Sequence, residues 1–180
     1  MSGVARPAGR ENVVLLDELR RPIGAAAKSG VHHERTPLHL AFSCYIFDSR
    51  GRFLVTRRAL DKRTWPGVWT NSCCGHPAPG EAVEAAVHRR VQQELGLRIE
   101  RLRLVLPDFR YRAVDASGVV ENEVCPVYVA ATEDEPQPDP AEVMDWRWVD
   151  WQAFVDMAET ASWSISPWAA EQAVLLDRDM

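Results

Sequence analysis

Between residues 81 and 95, Val83, Val87, Val91 and Leu95 recur at every fourth position among mostly polar neighbours. That spacing lines one apolar stripe along a helix, and Gly96 suits a left-handed C-cap just beyond it. Arg90 and Glu94, also four apart, share a face flanking the stripe. Elsewhere the pattern is extended. VVLLDE at 13–18 reads as a short strand, followed by a Pro-Ile-Gly turn at 22–24 and a single helical turn around Lys28. LHLAFSCYIF at 38–47 alternates loosely up to the turn Asp48–Gly51, and FLVTR follows, which predicts a hairpin over 38–57. RLRLVLPDFRYRAV, the turn Asp115–Gly118 and VVENEVCPVYVAA predict a second, longer hairpin. MDWRWVD reads as a strand, with helices over about 150–160 and 167–177. Residues 59–80 hold three Gly and three Pro with little periodicity and read as a long loop of the kind that carries function. Residues 133–142 form an acidic, Pro-rich loop, and residues 1–10 a mobile tail ahead of one domain over 11–180. This order predicts an α/β (α+β) fold, a sandwich of mixed β-sheets flanked by helices.

Composition narrows the setting. With 46% hydrophobic and 26% charged residues over 180 positions, the chain balances like a globular protein. Runs such as Val13–Leu16 are too short to span a bilayer, and MSGVARPAGR lacks an apolar signal core, so no membrane partner and a cytoplasmic location are expected. Four cysteines, Cys73 and Cys74 adjacent, do not form a disulfide framework pattern. A monomer is the default expectation. The net charge of -5 conceals an asymmetry: residues 1–112 sum to +8 and residues 113–180 to -13. A basic front can hold an anion while the whole stays acidic. Nucleic acid is not expected, because the basic stretch 50–63 contains Phe53 as its single aromatic residue.

NSCCGHPAPGEAVEAAVHRRVQQELGL, residues 71–97, resembles the Nudix box, in which Gly, five residues, Glu and seven residues precede Arg-Glu-apolar-any-Glu-Glu-any-Gly-apolar. Gly75, Glu81, Arg89, Val91, Glu94, Gly96 and Leu97 match, while Arg90 and Gln93 stand at two glutamate positions. Carboxylates on one helix face can hold Mg²⁺ against a diphosphate, and the preceding Gly-rich loop lets the backbone approach it. With one acid replaced by a cation, the helix suits gripping a diphosphate better than hydrolysing it.

Of five histidines, His39 opens a predicted strand seven residues after His32, and His76 follows Cys74-Gly75. Glu121 and Glu123 lie two apart on a predicted strand and so share a sheet face. Three imidazoles and two carboxylates suit Zn²⁺ or Mn²⁺ better than Ca²⁺. The plainer reading is a scatter of polar surface residues.

HHERTPLHLAF, LVTRRAL, WPGVWTNSCCGHP, DFRYRA, GVVENEVCPVY and SISPWA, in order over roughly residues 12–175, resemble type I isopentenyl-diphosphate Δ-isomerase. The resemblance implies a Nudix-like α/β sandwich with an N-terminal extension and a small prenyl diphosphate substrate. It implies a metal site of His32, His39, His76, Glu121 and Glu123, holding one Mn²⁺ or Zn²⁺, with the seven-residue gap to His39 favouring His32 over His33. Cys74, Glu123 and Tyr111 match the family's catalytic groups, and Trp168 its aromatic pocket wall. Glu94 and the backbone carbonyl of Cys74 match a Mg²⁺ site formed with the diphosphate. Lys28, Arg58, Lys62 and Arg90 match its phosphate-binding cations. Ile165 departs from the family, where an aromatic residue is common.

Moving a double bond along an allylic unit adds a proton at one carbon and removes one from another. Adding it to the terminal carbon leaves a tertiary cation, so the acid must be strong, close and dry. The expected division is protonation by Glu123 and Tyr111, deprotonation by Cys74, and a cation facing Trp168. Two other functions remain in competition: a Nudix diphosphohydrolase and a non-catalytic, metal-stabilised diphosphate-binding module. Trp65 and Trp69 are expected to brace the long loop, Trp146, Trp148 and Trp151 to pack, and Cys44 and Cys125 to be buried, inert thiols in strands.

Overall fold

Two bent strand pairs tie the molecule together, each passing from one sheet into another. The computed structural model describes residues 11–179, so the tail expected at 1–10 lies outside the described residues. Strands β1 (Asn12–Leu16), β2 (Pro22–Ala27), β3 (His39–Leu40), β9 (Arg110–Val114) and β10 (Val120–Val124) form a sheet in the order β2-β1-β3-β10-β9. The second sheet runs β12 (Val143–Val149), β5 (Phe53–Arg58), β4 (Phe42–Phe47), β11 (Val127–Ala131), β8 (Glu100–Leu106). Two short strands join it, β6 (Trp69–Thr70) on β5 and β7 (Cys73–Gly75) on β4. The helices are α1 (Lys28–Val31), α2 (Val83–Leu95), α3 (Trp151–Thr160) and α4 (Pro167–Asp179). The mixed α+β sandwich expected from the sequence is thus what the chain forms.

The differences from the expected elements have physical causes. Residues 38–47 are not one hairpin arm: the chain breaks at Ala41, giving β3 to one sheet and β4 to the other. The long hairpin divides likewise, at Pro107–Phe109 and at Cys125–Pro126. Proline has no N–H for a ladder, so a strand that meets one mid-course must break or turn there. Cys125 therefore lies between two strands rather than within one, its N–H donating to the Phe109 carbonyl at 2.8 Å. β3 pairs parallel with β10, and β4 parallel with β11, so both breaks fall side by side and make a crease between the sheets. The expected turn at 22–24 is the start of strand β2, which pairs antiparallel with β1 despite its Pro and Gly. Proline is tolerated there because it is the first residue of an edge strand. The predicted loop 59–80 contains β6 and β7, two- and three-residue strands too short to show a period.

The second sheet is covered on both faces. Phe42, Cys44, Ile46 and Leu54 pack with Val87, Val91 and Leu95 of α2. Tyr45, Phe53 and Val55 face the other way, onto Phe154 of α3 and Trp168, Ala173 and Leu176 of α4. That alternation follows from the two-residue period of a strand, and each large apolar side chain so buried contributes about 1.5–3 kcal/mol. Glycine at position 75 is required by close approach. A Cβ there would lie 2.8 Å from both Phe42 Cζ and Arg90 Cγ, so glycine lets α2 close on β7. Gly96 ends α2 at φ 67°, as its sequence position predicted. No helix among the described residues is long and apolar enough to cross a membrane.

Candidate active site

The crease between the sheets holds a row of functional side chains set by strand register. Glu123 of β10 is the direct partner of His39 on β3 and of Tyr111 on β9. Residues opposite one another in a sheet point to the same face, so backbone pairing alone brings the three side chains together. His32 enters from the end of α1 and His76 from the end of β7. The ligand atoms of His32, His39, His76 and Glu123 all lie within 4.8 Å of one another. Glu123 Oε1 is 3.1 Å from His76 Nε2, 3.3 Å from His39 Nε2 and 4.0 Å from His32 Nε2. His33 faces away, its Nδ1 accepting from the Arg35 N–H at 3.1 Å, and His88 lies exposed on α2.

This set fits a divalent cation on its own chemistry. The Nε2 atoms of His32 and His39 are buried without a hydrogen-bond partner, which native proteins rarely tolerate. His39 Nδ1 donates to the Pro37 carbonyl at 2.9 Å, which leaves Nε2 as a lone pair aimed into the cluster. Burial drives the His76 pKa down to about 4, so that imidazole is neutral at ordinary pH. For His39, burial acts downward, but its contact with Glu123 outweighs it and raises the imidazole.

Glu121 stands one step outside the tight cluster, its Oε2 3.8 Å from His32 Nε2. It accepts from the Thr64 hydroxyl, and its Oε2 lies 3.0 Å from the Tyr111 hydroxyl. Tyr111 is also 2.9 Å from Glu123 Oε2. A phenol carries one proton, so it cannot donate to both carboxylates at once. Burial, followed by the charge of Glu123, raises Glu121 to about 8 and keeps it protonated at neutral pH. Burial pushes Glu123 upward too, but its three histidines hold it well below the usual carboxylate range. The two acids, two residues apart, are therefore driven to opposite protonation states.

Cys74 lies on β7 beside Ser43 of β4, its register partner. Its Sγ is 3.5 Å from Ser43 Oγ and 3.2 Å from Asn71 Oδ1. Burial raises the thiol to about 11. Strand alternation sends the adjacent Cys73 to the opposite face, where its Sγ lies 3.7 Å from Glu94 Oε2. Trp168 sits tilted on Tyr111 with ring centroids 5.6 Å apart, and Trp65 meets it edge-on at 5.4 Å. Trp65 thus belongs to the aromatic wall as well as to the loop. Ile165 is buried in the same cluster and bridges to Trp69.

Arg58, Lys62, Cys73, Cys74, Glu94 and Glu142 line one small cavity with Asn71. Three of the expected phosphate-binding cations are matched by acids. Lys28 pairs with Glu11 at 2.7 Å, Lys62 with Glu142, and buried Arg90 with Glu94, Glu11 and Glu142. Arg58 donates to the carbonyls of Thr64 and Trp65, and its guanidinium lies 5.5 Å from the Trp168 ring centre. Arg89 and Glu81, both matches to the box, form a two-bond ion pair that clamps the loop onto α2.

Thr64, Trp65, Asn71, Ser43 and Glu142 were not singled out as site residues by sequence. Their types are common in loops and strands, and nothing in their spacing distinguishes them.

The NUDIX domain family matches residues 37–169. The chain is 64% identical over 167 residues to the isopentenyl-diphosphate Delta-isomerase of Mycolicibacterium vanbaalenii, covering 93% of this chain and 92% of that one. It is 62% identical over 162 residues to the isopentenyl-diphosphate Delta-isomerase of Frankia alni, covering 90% and 84%. Among solved structures, it resembles protein DR0079 of Deinococcus radiodurans with a TM-score of 0.69 at 18% identity, over 94% of this chain and 99% of that one. It resembles the MutT protein of Methanosarcina mazei with a TM-score of 0.64 at 18% identity, over 79% and 94%. At such identities the two structures speak for the fold alone.

Proposed function

The chain belongs to the isopentenyl-diphosphate Delta-isomerases of the NUDIX superfamily, and on that premise we propose how its residues divide the reaction. The enzyme interconverts isopentenyl and dimethylallyl diphosphate. NUDIX enzymes use divalent metals, and this chain has a His/Glu cluster that can hold one.

The observation that carries the division is the register row His39–Glu123–Tyr111 in the same crease as Cys74 and Trp168. Glu123 and Tyr111 deliver the proton to the terminal carbon of the alkene, and Cys74 removes one from the carbon next to the diphosphate-bearing carbon. In the ligand-free protein the thiol carries its proton, since burial raises it to about 11. That state is ready for the reverse direction. The forward direction needs the thiolate, which the Ser43 hydroxyl and the Arg58 charge favour. The phenol of Tyr111 is held far above its ordinary range by burial, so it shares and relays a proton rather than standing as a phenolate.

The cation formed between the two transfers faces the Trp168 ring, an interaction worth about 2 kcal/mol when desolvated. Positioning through the diphosphate carries more of the barrier than that. Lys28, Arg58, Lys62 and Arg90 bind the diphosphate, the two lysines and Arg90 by exchanging their acid partners for it, and Arg58 also keeps the 64–65 loop against Trp168. His32, His39, His76, Glu121 and Glu123 would hold one Mn²⁺ or Zn²⁺, and Glu94 with the Cys74 carbonyl a Mg²⁺ that arrives with substrate. Such cations supply Lewis-acid polarisation and charge neutralisation. Burial of Arg90 against Glu94, where a hydrolase of this type has an acid, weighs against diphosphate hydrolysis. The same reading takes the chain as a cytoplasmic monomer acting on a free diphosphate, with neither nucleic acid nor membrane.

Purified, metal-loaded protein given isopentenyl diphosphate in deuterium oxide tests this reading. Dimethylallyl diphosphate carrying deuterium in the methyl group is the expected product. Release of phosphate without isomerisation sinks the division of roles.

A further inference from the structure

We propose that Asn71 is a positioning residue that locks the Cys74 thiol and the Trp168 indole to one amide oxygen, so that proton transfer and cation-facing ring keep one fixed relation. The inference rests on the roles proposed above for Cys74 and Trp168, and adds a residue whose side chain bonds to both.

Asn71 is fully buried between β6 and β7. Its Nδ2 donates to the backbone carbonyls of Cys44, at 3.2 Å, and Cys73, at 3.0 Å. Its Oδ1 receives the Trp168 indole N–H at 3.0 Å and faces Cys74 Sγ at 3.2 Å. The polarity of this arrangement is determined by its partners. Two carbonyls can only accept and an indole N–H can only donate, so the amide cannot be flipped without three like-against-like contacts. The oxygen must then face the sulfur, and in the resting, protonated state of Cys74 the thiol donates to it. Thr70 Oγ1 also lies 3.0 Å from Oδ1 but has Ser166 Oγ at 2.7 Å as another partner. When Thr70 donates to Ser166, the two lone pairs of Oδ1 serve Trp168 and Cys74.

One planar group thus ties four segments: β4 through Cys44, β7 through Cys73 and Cys74, α4 through Trp168, and its own loop. The Trp168 ring in turn packs on Tyr111 at 5.6 Å, on the opposite side of the site. Loss of the amide frees the sulfur and the indole to move independently, whereas among the described residues no hydrogen bond joins Asn71 to Lys28, Lys62 or Arg90. The expected result for Asn71→Ala is therefore a split between rate and binding. kcat falls about 100-fold, the order that a misplacement of about 1 Å costs, while KM stays within about twofold.

Asn71→Asp separates positioning from bulk and serves if the alanine variant does not fold. Protonated, its carboxyl donates to one backbone carbonyl and accepts from Trp168 and Cys74. Ionised, it confronts both carbonyls. Burial raises the pKa of such a carboxyl, so its rate relative to parent at the same pH should recover as pH falls, while that of Asn71→Ala stays flat. Steady-state kinetics over pH on both variants, with Cys74→Ala in parallel, decides the matter. An Asn71→Ala kcat within about twofold of parent overturns the proposal, as does loss in both variants with no pH-dependent recovery in Asn71→Asp. A fully active Cys74→Ala removes the reading beneath it. An inactive Cys74→Ala beside a fully active Asn71→Ala overturns this inference alone.

Discussion

His39 and Glu123 are direct partners across the parallel pairing of β3 and β10, and their side-chain atoms approach to 3.3 Å. The backbone ladder itself therefore builds the first edge of the His/Glu cluster, before any loop contributes. The other members of the cluster, His32 and His76, arrive from segments whose positions depend on packing.

That pairing makes metal-free and metal-loaded protein respond oppositely to pH. His39 is raised in the metal-free protein because Glu123 outweighs burial. Its contribution is complete below the ordinary histidine value and is lost as pH climbs through the raised one. Metal requires the neutral imidazole. We predict that the gain in Tm from Mn²⁺ or Zn²⁺ over chelator-treated protein widens between roughly pH 6 and pH 8. Calorimetry with and without chelator checks it, and a gain that shrinks over that range contradicts the site.

Glu121 and Glu123 should respond differently to the same substitution. Glu123→Gln removes a carboxylate held ionised by three histidines, and kcat should drop about 10²–10⁴-fold. Glu121 is already neutral in the metal-free protein, so Glu121→Gln should leave metal-free stability within about 0.5 kcal/mol. Its effect should be on metal affinity, weakened about tenfold. Titration calorimetry and kinetics on both variants test the contrast, and equal effects would count against it.

Cys74 should alkylate slowly at neutral pH. Burial raises it to about 11, so the thiolate fraction grows as pH rises toward that value. Iodoacetamide labelling followed by mass spectrometry should show modification rising steeply above about pH 9, first at Cys74. Cys44, Cys73 and Cys125 are more deeply buried and should lag. Rapid labelling of Cys74 at pH 7 would contradict this.

Arg90 should matter for stability as well as for diphosphate binding. Its side chain is 6% exposed and pairs with Glu94, itself 7% exposed. Arg90→Met strands that carboxylate, at a cost of about 3–5 kcal/mol. Adding Glu94→Gln should recover most of it, because the uncompensated charge is gone. Denaturant melts of the two variants measure the coupling, and simple additivity would show that the pair does not act as a unit.

The residues differ in how far local sequence could place them. α2 was legible because four apolar side chains at a helical interval have one way to be buried together, and Gly96 then closes the helix at φ 67°. Arg89 and Glu81 were found by spacing, and they pair as a loop clamp. Strand β2 was hidden, since Pro-Ile-Gly-Ala-Ala-Ala has no strand period and is held by its ladder to β1. The two sheet-to-sheet breaks were hidden as well. A local pattern reports which way a side chain points and not which sheet its strand joins.

By itself, the sequence determined the fold class, the residue types of the site and the family they resemble, because those depend on composition, period and ordered motifs. Tertiary structure alone decided which groups share one proton, which cations already have acid partners, and that one buried amide bridges Cys74 and Trp168. Those facts arise between elements far apart along the chain, such as Asn71 and Trp168, where hydrogen-bond polarity and burial act at distances of about 3 Å. No spacing rule reaches across that separation.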